Sequence, residues 1–136
     1  MKSTLKSKSN NNVVFSCTYH VIWVVKYRRK FLSGKIEKRL KSICQEVAQE
    51  CSFQIQEMEC DQDHIHLLIN VDPQFGVHKA VKRMKGRSSR LLRQEFAILR
   101  SRLPTLWTNS YFVATCGGAP LSVIKQYIES QQLRER

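Results

Sequence analysis

A run of β-branched and aromatic residues near the start of the chain places the strongest constraint on the fold. Residues Val13 to Val25 read VVFSCTYHVIWVV, a composition typical of a β-strand. A strand of this length and character is expected at the centre of a sheet. The basic segment Lys26 to Lys30 follows it. The core is therefore predicted to form around a β-sheet.

The rest of the chain alternates between helical and strand periodicity. Apolar residues recur at helical spacing between Ile36 and Cys51, which predicts an amphipathic helix over Lys35–Cys51. The resulting order is strand, helix, strand, strand, helix, strand and one further helix. This is the α+β, ferredoxin-like split βαβ pattern, an antiparallel sheet with helices on one face and the other face free for a site. The remaining predicted elements are strands over Phe53–Glu59, His64–Val71 and Tyr111–Thr115, and helices from Gly76 to about Leu99 and from Pro120 to about Leu133.

Length and charge limit the domain count and the class of partner. A chain of 136 residues suffices for one stable core. Residues 1–12 hold three lysines and no acid, which predicts a flexible basic tail before a single domain at residues 13–136. The net charge of +12 favours a polyanion such as nucleic acid, whose backbone carries one phosphate per nucleotide. A basic protein without such a partner is the alternative.

Cysteine content and hydropathy indicate the cellular compartment in which the protein is expected. The five cysteines form no C-x-x-C pair, the first twelve residues do not resemble a signal peptide, and no apolar run reaches the roughly 18 to 20 residues that cross a membrane. We therefore expect a cytoplasmic protein with free thiols and no membrane association. Cys60 precedes His64 by four residues and is interpreted as a half-buried strand residue, with a zinc ligand as the alternative.

The sequence His64-Ile65-His66 lies at the start of a predicted strand. Side chains two positions apart on a strand point to the same face. The two imidazoles are therefore candidate ligands for one divalent ion, since imidazole binds metals in its neutral form. Ile65 is expected to point into the core. An H-x-H pair on its own is a weak signal, because most exposed histidine pairs hold no metal.

Tyr127 and Gln131 lie four residues apart on the last predicted helix, and so share one of its faces. Tyr127 is a candidate nucleophile, and the Gln131 amide oxygen is a candidate third ligand. An oxygen-containing ligand set with imidazoles suits Mg²⁺ or Mn²⁺. The alternative is that Tyr127 is an amphipathic residue at the edge of the core.

Basic residues concentrate in two segments that are candidates for contact with nucleic acid. The helix after Gly76 has no acidic residue before Glu95, so the usual i,i+4 ion pairs are missing. In the earlier basic segment, Tyr27 is placed to stack on a base. A solvated helix face is the alternative. The predicted contacts are Lys26, Arg28, Lys79, Lys82, Arg83, Arg87 and Arg90.

Four sequence blocks in order resemble the single-tyrosine HUH transposases of short bacterial insertion sequences, the IS200-like type. Here HUH denotes His64, Ile65 and His66. The likeness spans nearly the whole chain and is highly specific at this spacing. The blocks are HVIWVVKYRRKFL from His20, DHIHLLI from Asp63, LWTNSYFVATCGG from Leu106 and IKQYIESQ from Ile124.

The resemblance implies a reaction and a site. The nucleophile of the family falls on Tyr127, its histidine ligands on His64 and His66, and its helix-borne ligand on Gln131. It implies a homodimer in which the last helix of one subunit brings its tyrosine to the histidines of the other. The implied substrate is single-stranded DNA with hairpins, cleaved and rejoined through a 5′-phosphotyrosine with help from Mg²⁺ or Mn²⁺.

Other functions stay open from the sequence. A non-catalytic module that binds single-stranded nucleic acid shares the sheet order, although the aromatic-glycine signature of RNA-recognition domains is absent. A domesticated, repeat-associated tyrosine transposase is another alternative. Replication initiators and conjugative relaxases share the histidine pair but are normally larger and often use a third histidine.

Overall fold

The computed structural model describes residues 8–9, 14–15, 17–115 and 121–134, with side chains in 17–115 and 125–131. A 3-10 turn at Lys26–Arg28 follows the first long strand. Within these ranges no helix combines the length and apolar character needed to cross a bilayer. The elements are β1 (Lys8–Ser9), β2 (Val14–Phe15), β3 (Thr18–Val24), α1 (Gly34–Cys51), β4 (Gln54–Cys60), β5 (His64–Asn70), α2 (Val77–Glu95), α3 (Ala97–Arg102), β6 (Phe112–Thr115) and α4 (Leu121–Arg134).

A four-stranded antiparallel sheet forms the centre of the fold, in the order β4-β5-β3-β6. The central strand β3 pairs with β5 on one side and β6 on the other, as the composition of this segment predicts. In the register of β3 and β5, Ile22 lies opposite His66 and Trp23 opposite Ile65. The predicted α+β split βαβ class, with an extra C-terminal helix, is confirmed.

The boundaries of several elements differ from the sequence prediction. The segment predicted as one strand over Val13–Val25 forms two, because β2 pairs with β1 and only β3 joins the main sheet. This pairing also places Lys8–Ser9 in a strand, within the segment predicted to be a flexible tail. The long helix predicted from Gly76 ends at Glu95, since Phe96 adopts an extended backbone before α3. Residues 116–120, between β6 and α4, lie outside the described residues.

The hydrophobic core lies between one face of the sheet and the helices α1 and α2. Alternate residues of β3 and β5 point into it, so that Trp23 and Ile65 are fully buried while their neighbours face the other way. The opposite face of the sheet faces α4. The helices contribute Leu40, Ile43, Val47, Ala80, Val81 and Met84 to this core.

Candidate active site

His64 and His66 are partly exposed on the outer face of β5, while Ile65 between them is fully buried. The alternation of a strand thus separates the imidazoles from the core. His66 lies opposite Ile22 of the neighbouring strand. Both histidines line one cleft of about 440 Å³ beneath α4.

Asp63 orients the first imidazole. Its Oδ1 lies 2.8 Å from His64 Nδ1, and its Oδ2 accepts a hydrogen bond of 3.0 Å from Arg28 Nε. Burial favours the protonated acid, but the hydrogen bonds from His64 and Arg28 outweigh it and hold the pKa of Asp63 below its usual value. The contact occupies His64 Nδ1 and leaves Nε2 for another partner. In metal sites, a ligating histidine commonly donates the N–H of its other ring nitrogen to a carboxylate.

A third imidazole contacts the second. His20 Nδ1 lies 3.0 Å from His66 Nε2, and the two rings stack with centroids 5.2 Å apart. Burial, followed by the nearby His20, lowers the pKa of His66. Both effects favour the neutral imidazole, the form that binds metals. Sequence reasoning missed His20 as a site residue, because only the register of β3 against β5 brings it next to His66.

The cleft beneath α4 combines imidazoles with charged groups of both signs. Arg28 and Lys125 place two cations on its walls, and Asp61 and Glu129 place two acids there. Two guanidinium or ammonium groups beside paired imidazoles suit a phosphate group. The complete lining consists of Ile22, Arg28, Asp61, His64, His66, Lys125, Ile128 and Glu129.

Tyr127 and Gln131 lie together on α4, on a different face from the one that lines the cleft. The Tyr127 hydroxyl lies 3.0 Å from Ser110 Oγ, which donates a hydrogen bond of 2.9 Å to Gln131 Oε1. The ring of Tyr127 also packs at 5.6 Å from Phe112, and Gln131 is only 2% exposed. The structure therefore brings the two α4 residues together at Ser110, and neither is among the residues that line the cleft with His64 and His66. Among the described residues, no three His, Cys, Asp or Glu side chains converge on a possible metal position.

Ser110 belongs to the segment before β6 and is fixed there by Lys85 of α2. The Lys85 ammonium donates hydrogen bonds to the Thr108 carbonyl at 2.7 Å and to the Ser110 carbonyl at 3.0 Å. Burial lowers the pKa of Lys85 to about 8. The sequence gives no signal for either residue, since a loop serine and a helix lysine acquire these contacts only in the folded chain.

The basic residues predicted to contact nucleic acid have different surroundings. Lys82 and Arg90 are exposed on α2, and Lys79 and Arg83 lie over the Phe75 ring at 5.0 and 5.9 Å. In the 3-10 turn, Lys26 lies 5.4 Å from the Tyr27 ring.

Arg87 differs from the other basic residues of α2. It forms a two-pronged ion pair with Glu50 of α1, at 2.7 and 2.8 Å. The i,i+4 acids that the sequence of α2 lacks are replaced for Arg87 by a carboxylate of the neighbouring helix.

Comparison with known proteins identifies the family of this chain. The model of the IS200-like transposases matches residues 13–131, which include every residue of the cleft and of the Ser110 contacts. The chain belongs to the IS200-like transposase family. Membership makes it a DNA-processing protein of a transposition system.

Individual relatives cover nearly the whole of this transposase domain. The ISDra2 transposase TnpA of Deinococcus radiodurans is 35% identical over 133 residues, covering 96% of the chain and 95% of the relative. The transposase for insertion sequence element IS200 of Salmonella typhimurium is 29% identical over 134 residues, covering 95% and 88%. A crystal structure of a transposase candidate from Deinococcus radiodurans superimposes with a TM-score of 0.81 at 32% identity, covering 91% of the chain and 97% of that structure.

Proposed function

We propose that this transposase-family protein cleaves and rejoins single-stranded DNA, with Tyr127 as the nucleophile. The observation that carries the proposal is the cleft between the imidazole pair and α4, the helix that also bears Tyr127. Its cationic groups, Arg28 and Lys125, suit the scissile phosphate. Family membership supplies the reaction class, namely DNA transposition.

The proposed step is a transesterification at phosphorus. The Tyr127 oxygen forms a bond to the phosphorus, and the bond from phosphorus to the 3′ oxygen of the preceding nucleotide breaks. The phenolic proton is lost, and the departing oxygen takes up a proton to become a free 3′ hydroxyl. The 5′-phosphotyrosine retains the energy of the broken linkage, and attack by a 3′ hydroxyl on it restores a phosphodiester. An unperturbed phenol has a pKa near 10 and is only about 0.1% ionised at pH 7, so the phosphate must be activated.

The residues proposed to hold an activating divalent ion, Mg²⁺ or Mn²⁺, are His64, His66 and Gln131. The donor set fits, because the contact with Asp63 leaves His64 Nε2 for another partner and burial favours the neutral form of His66. His66 Nε2 lies against His20 Nδ1, and this contact has to open for that nitrogen to bind the ion. A bound divalent ion would withdraw charge from the phosphoryl oxygens. The Arg28 guanidinium pairs with Asp63 and thereby orients the carboxylate that contacts His64. It also adds positive charge beside the phosphate.

We propose that each active site is shared between two subunits of a homodimer. Within one chain, Tyr127 and Gln131 contact Ser110 while other α4 residues face the histidines. Exchange of α4 between subunits would bring the phenol and the amide of one chain to the imidazoles of its partner. The proposed substrate is single-stranded DNA with hairpins near the ends of the mobile element.

The test is the covalent intermediate. Single-stranded DNA from the flanks of the gene is incubated with the protein and Mn²⁺, and the product is run on a denaturing gel. We expect a slower-migrating protein–DNA species from the wild-type protein and from Tyr19→Phe, which alters a tyrosine of β3 that does not line the cleft. Tyr127→Phe is expected to bind the DNA without forming this species. Undiminished adduct formation by Tyr127→Phe would refute the assignment, and a pure binding module would form no adduct in any variant.

A further inference from the structure

A second cleft, of about 380 Å³, lies between α2 and the segment that precedes β6. We call it the α2 cleft, and it shares no lining residue with the histidine cleft. Its volume falls in the range of roughly 300 to 1,000 Å³ that is usual for small-ligand sites. Lys85 forms part of its wall, beside the exposed Gly86. A small molecule in the α2 cleft can therefore reach the side chain of Lys85.

The side-chain nitrogen of Lys85 is held at two of its hydrogen positions. It donates to the Thr108 carbonyl at 2.7 Å and to the Ser110 carbonyl at 3.0 Å. An ammonium group has three hydrogens, so one position remains. If the third hydrogen leaves as a proton, the other two still serve both carbonyls, and a lone pair takes the third position. The two bonds therefore fix a neutral amine in the wall of the α2 cleft, where it is placed to act as a nucleophile.

The surroundings of Lys85 favour this neutral form. Burial lowers the pKa of its ammonium to about 8, because the charged form loses contact with water. At pH 7.5 about a quarter of the Lys85 side chains are then free amines, compared with about 0.1% for an ordinary lysine with a pKa near 10.4. The fraction of nucleophilic amine is thus raised at a nitrogen that borders a cleft.

The charge of the α2 cleft suits a small anion. Lys82 lies three residues before Lys85 on the same helix and lines the same cleft, so their side chains emerge from neighbouring positions. Lys82 is exposed and, within the described part of the chain, has no ion pair. The described residues that line the cleft include no carboxylate. A phosphate group at Lys82 would therefore lie close to the amine of Lys85.

We propose that Lys85 is a modification site that takes an acyl group from a small acyl phosphate bound in the α2 cleft. The Lys85 nitrogen forms a bond to the carbonyl carbon of the acyl group, and the bond from this carbon to the phosphate oxygen breaks. The phosphate leaves with the electron pair of that bond, and the nitrogen releases a proton to water. The products are an amide-linked acyl-lysine and inorganic phosphate.

Acylation would change how the segment before β6 is held. The amide nitrogen of the product has one hydrogen and no charge, so it serves only one of the Thr108 and Ser110 carbonyls. The other carbonyl loses its donor. The side chain of Ser110 contacts Tyr127 and Gln131, so the modification acts on the segment that holds α4.

The first test compares the rates of acetylation of individual lysines. The wild-type protein is incubated with acetyl phosphate at pH 7.5, and acetylation is followed over time by mass spectrometry of its peptides. The initial rate at Lys85 should exceed the rate at Lys38, an exposed lysine of α1, at least roughly 10-fold. This factor is smaller than the ratio of free amine, because a less basic amine is a weaker nucleophile. In urea, where burial is lost, the two rates should become similar.

The second test concerns the phosphate. Lys82→Gln should slow acetylation of Lys85 by acetyl phosphate about 3-fold, the scale of one exposed ion pair. The same variant should react normally with N-hydroxysuccinimidyl acetate, an acetyl donor without a phosphate. Lys38→Gln removes an equal charge from the surface of α1 and should leave the rate at Lys85 unchanged with both reagents. If Lys82→Gln slowed neither reagent, or slowed both equally, an acyl phosphate site at Lys82 would be refuted.

The remaining outcomes decide whether Lys85 itself is the site. In the folded protein, a rate at Lys85 equal to or below that at Lys38 would overturn the proposal. The rate at Lys85 should level off above about pH 8.5, and a continued rise up to pH 10 would also contradict it. These reactions need neither DNA nor metal, so they do not depend on the proposed function and their failure would leave the proposed transposition chemistry unaffected.

Discussion

The hydroxyl of Tyr127 lies 3.0 Å from the side-chain oxygen of Ser110, a residue of the segment before β6. The Ser110 hydroxyl donates its one hydrogen to Gln131 Oε1. The Tyr127 hydroxyl is therefore the donor in the contact between Tyr127 and Ser110. One serine thus holds both of the α4 residues proposed to take part in the reaction. In the proposed reaction, Tyr127 has to leave this contact before its oxygen reaches a phosphate beside the histidines.

Replacing Ser110 by alanine should accelerate adduct formation. The substitution removes two neutral hydrogen bonds that hold α4 in place, each worth about 0.5 to 1.5 kcal/mol. We expect a rise of at least roughly 5-fold in the initial rate of formation of the protein–DNA species, the factor that corresponds to the lower end of this range for two bonds. Ser101→Ala is the control, since the Ser101 hydroxyl donates to the Ile98 carbonyl of its own helix. A slower rate in Ser110→Ala would show that the contact supports catalysis instead of restraining the tyrosine.

Asp63→Asn should weaken metal binding without removing a ligand. The amide carries no charge to support the imidazole, and the ion pair with Arg28 is lost as well. Carboxylates that accept a hydrogen bond from a metal-ligating histidine typically contribute about 10- to 100-fold to metal affinity. Titration calorimetry with Mn²⁺ should show a loss in that range, and a larger loss for His64→Ala. Asp72→Asn, beyond the opposite end of β5, should bind Mn²⁺ like the wild type; equal affinity of Asp63→Asn would contradict the supporting role.

Mixing two inactive variants tests the shared active site. Tyr127→Phe and His64→Ala each lack one essential group, but a mixed dimer with exchanged α4 helices has one site in which both groups are intact. Adduct formation should recover to on the order of a quarter of the wild-type level if the chains pair at random in a closed dimer. The DNA should be linked to the His64→Ala chain, which keeps its tyrosine. No recovery after verified subunit exchange would indicate sites built within single chains.

The stability of the protein should rise with pH between about 8 and 10.5 through Lys85. Burial lowers the pKa of its ammonium from 10.5 to about 8 in the folded chain. In that pH window the unfolded chain binds the proton and the folded chain does not, so the free energy of unfolding increases with pH. Urea denaturation at several pH values should show a steeper increase in the wild type than in Lys85→Met, where the other titrating groups remain. If the free energy of unfolding changed equally with pH in the two proteins, a contribution of Lys85 would be ruled out.

The sequence predicts those features that depend on local periodicity. Alternation along β5 places His64 and His66 on one face, and the spacing of four places Tyr127 beside Gln131 on α4. The order of strands and helices is enough to predict the sheet. These properties follow from neighbours in the chain, so they do not require knowledge of the tertiary structure.

The contacts that sequence reasoning missed all join distant segments. His20 meets His66 only through the register of β3 and β5, and Lys85 reaches Ser110 only because α2 lies beside that segment. The Arg87–Glu50 pair likewise depends on the packing of α1 against α2. A single sequence does not determine these distances, because each depends on how complete elements pack together.

Side chains along β5 point alternately to the two faces of the sheet, and the two sets have different roles. Ile65 and Leu67 fill the interior, and His64 and His66 face outward. An engineer could therefore replace His64 and His66, the proposed metal ligands, and leave the interior unaltered. Reactivity and folding would then be tuned separately, on opposite sides of a single strand.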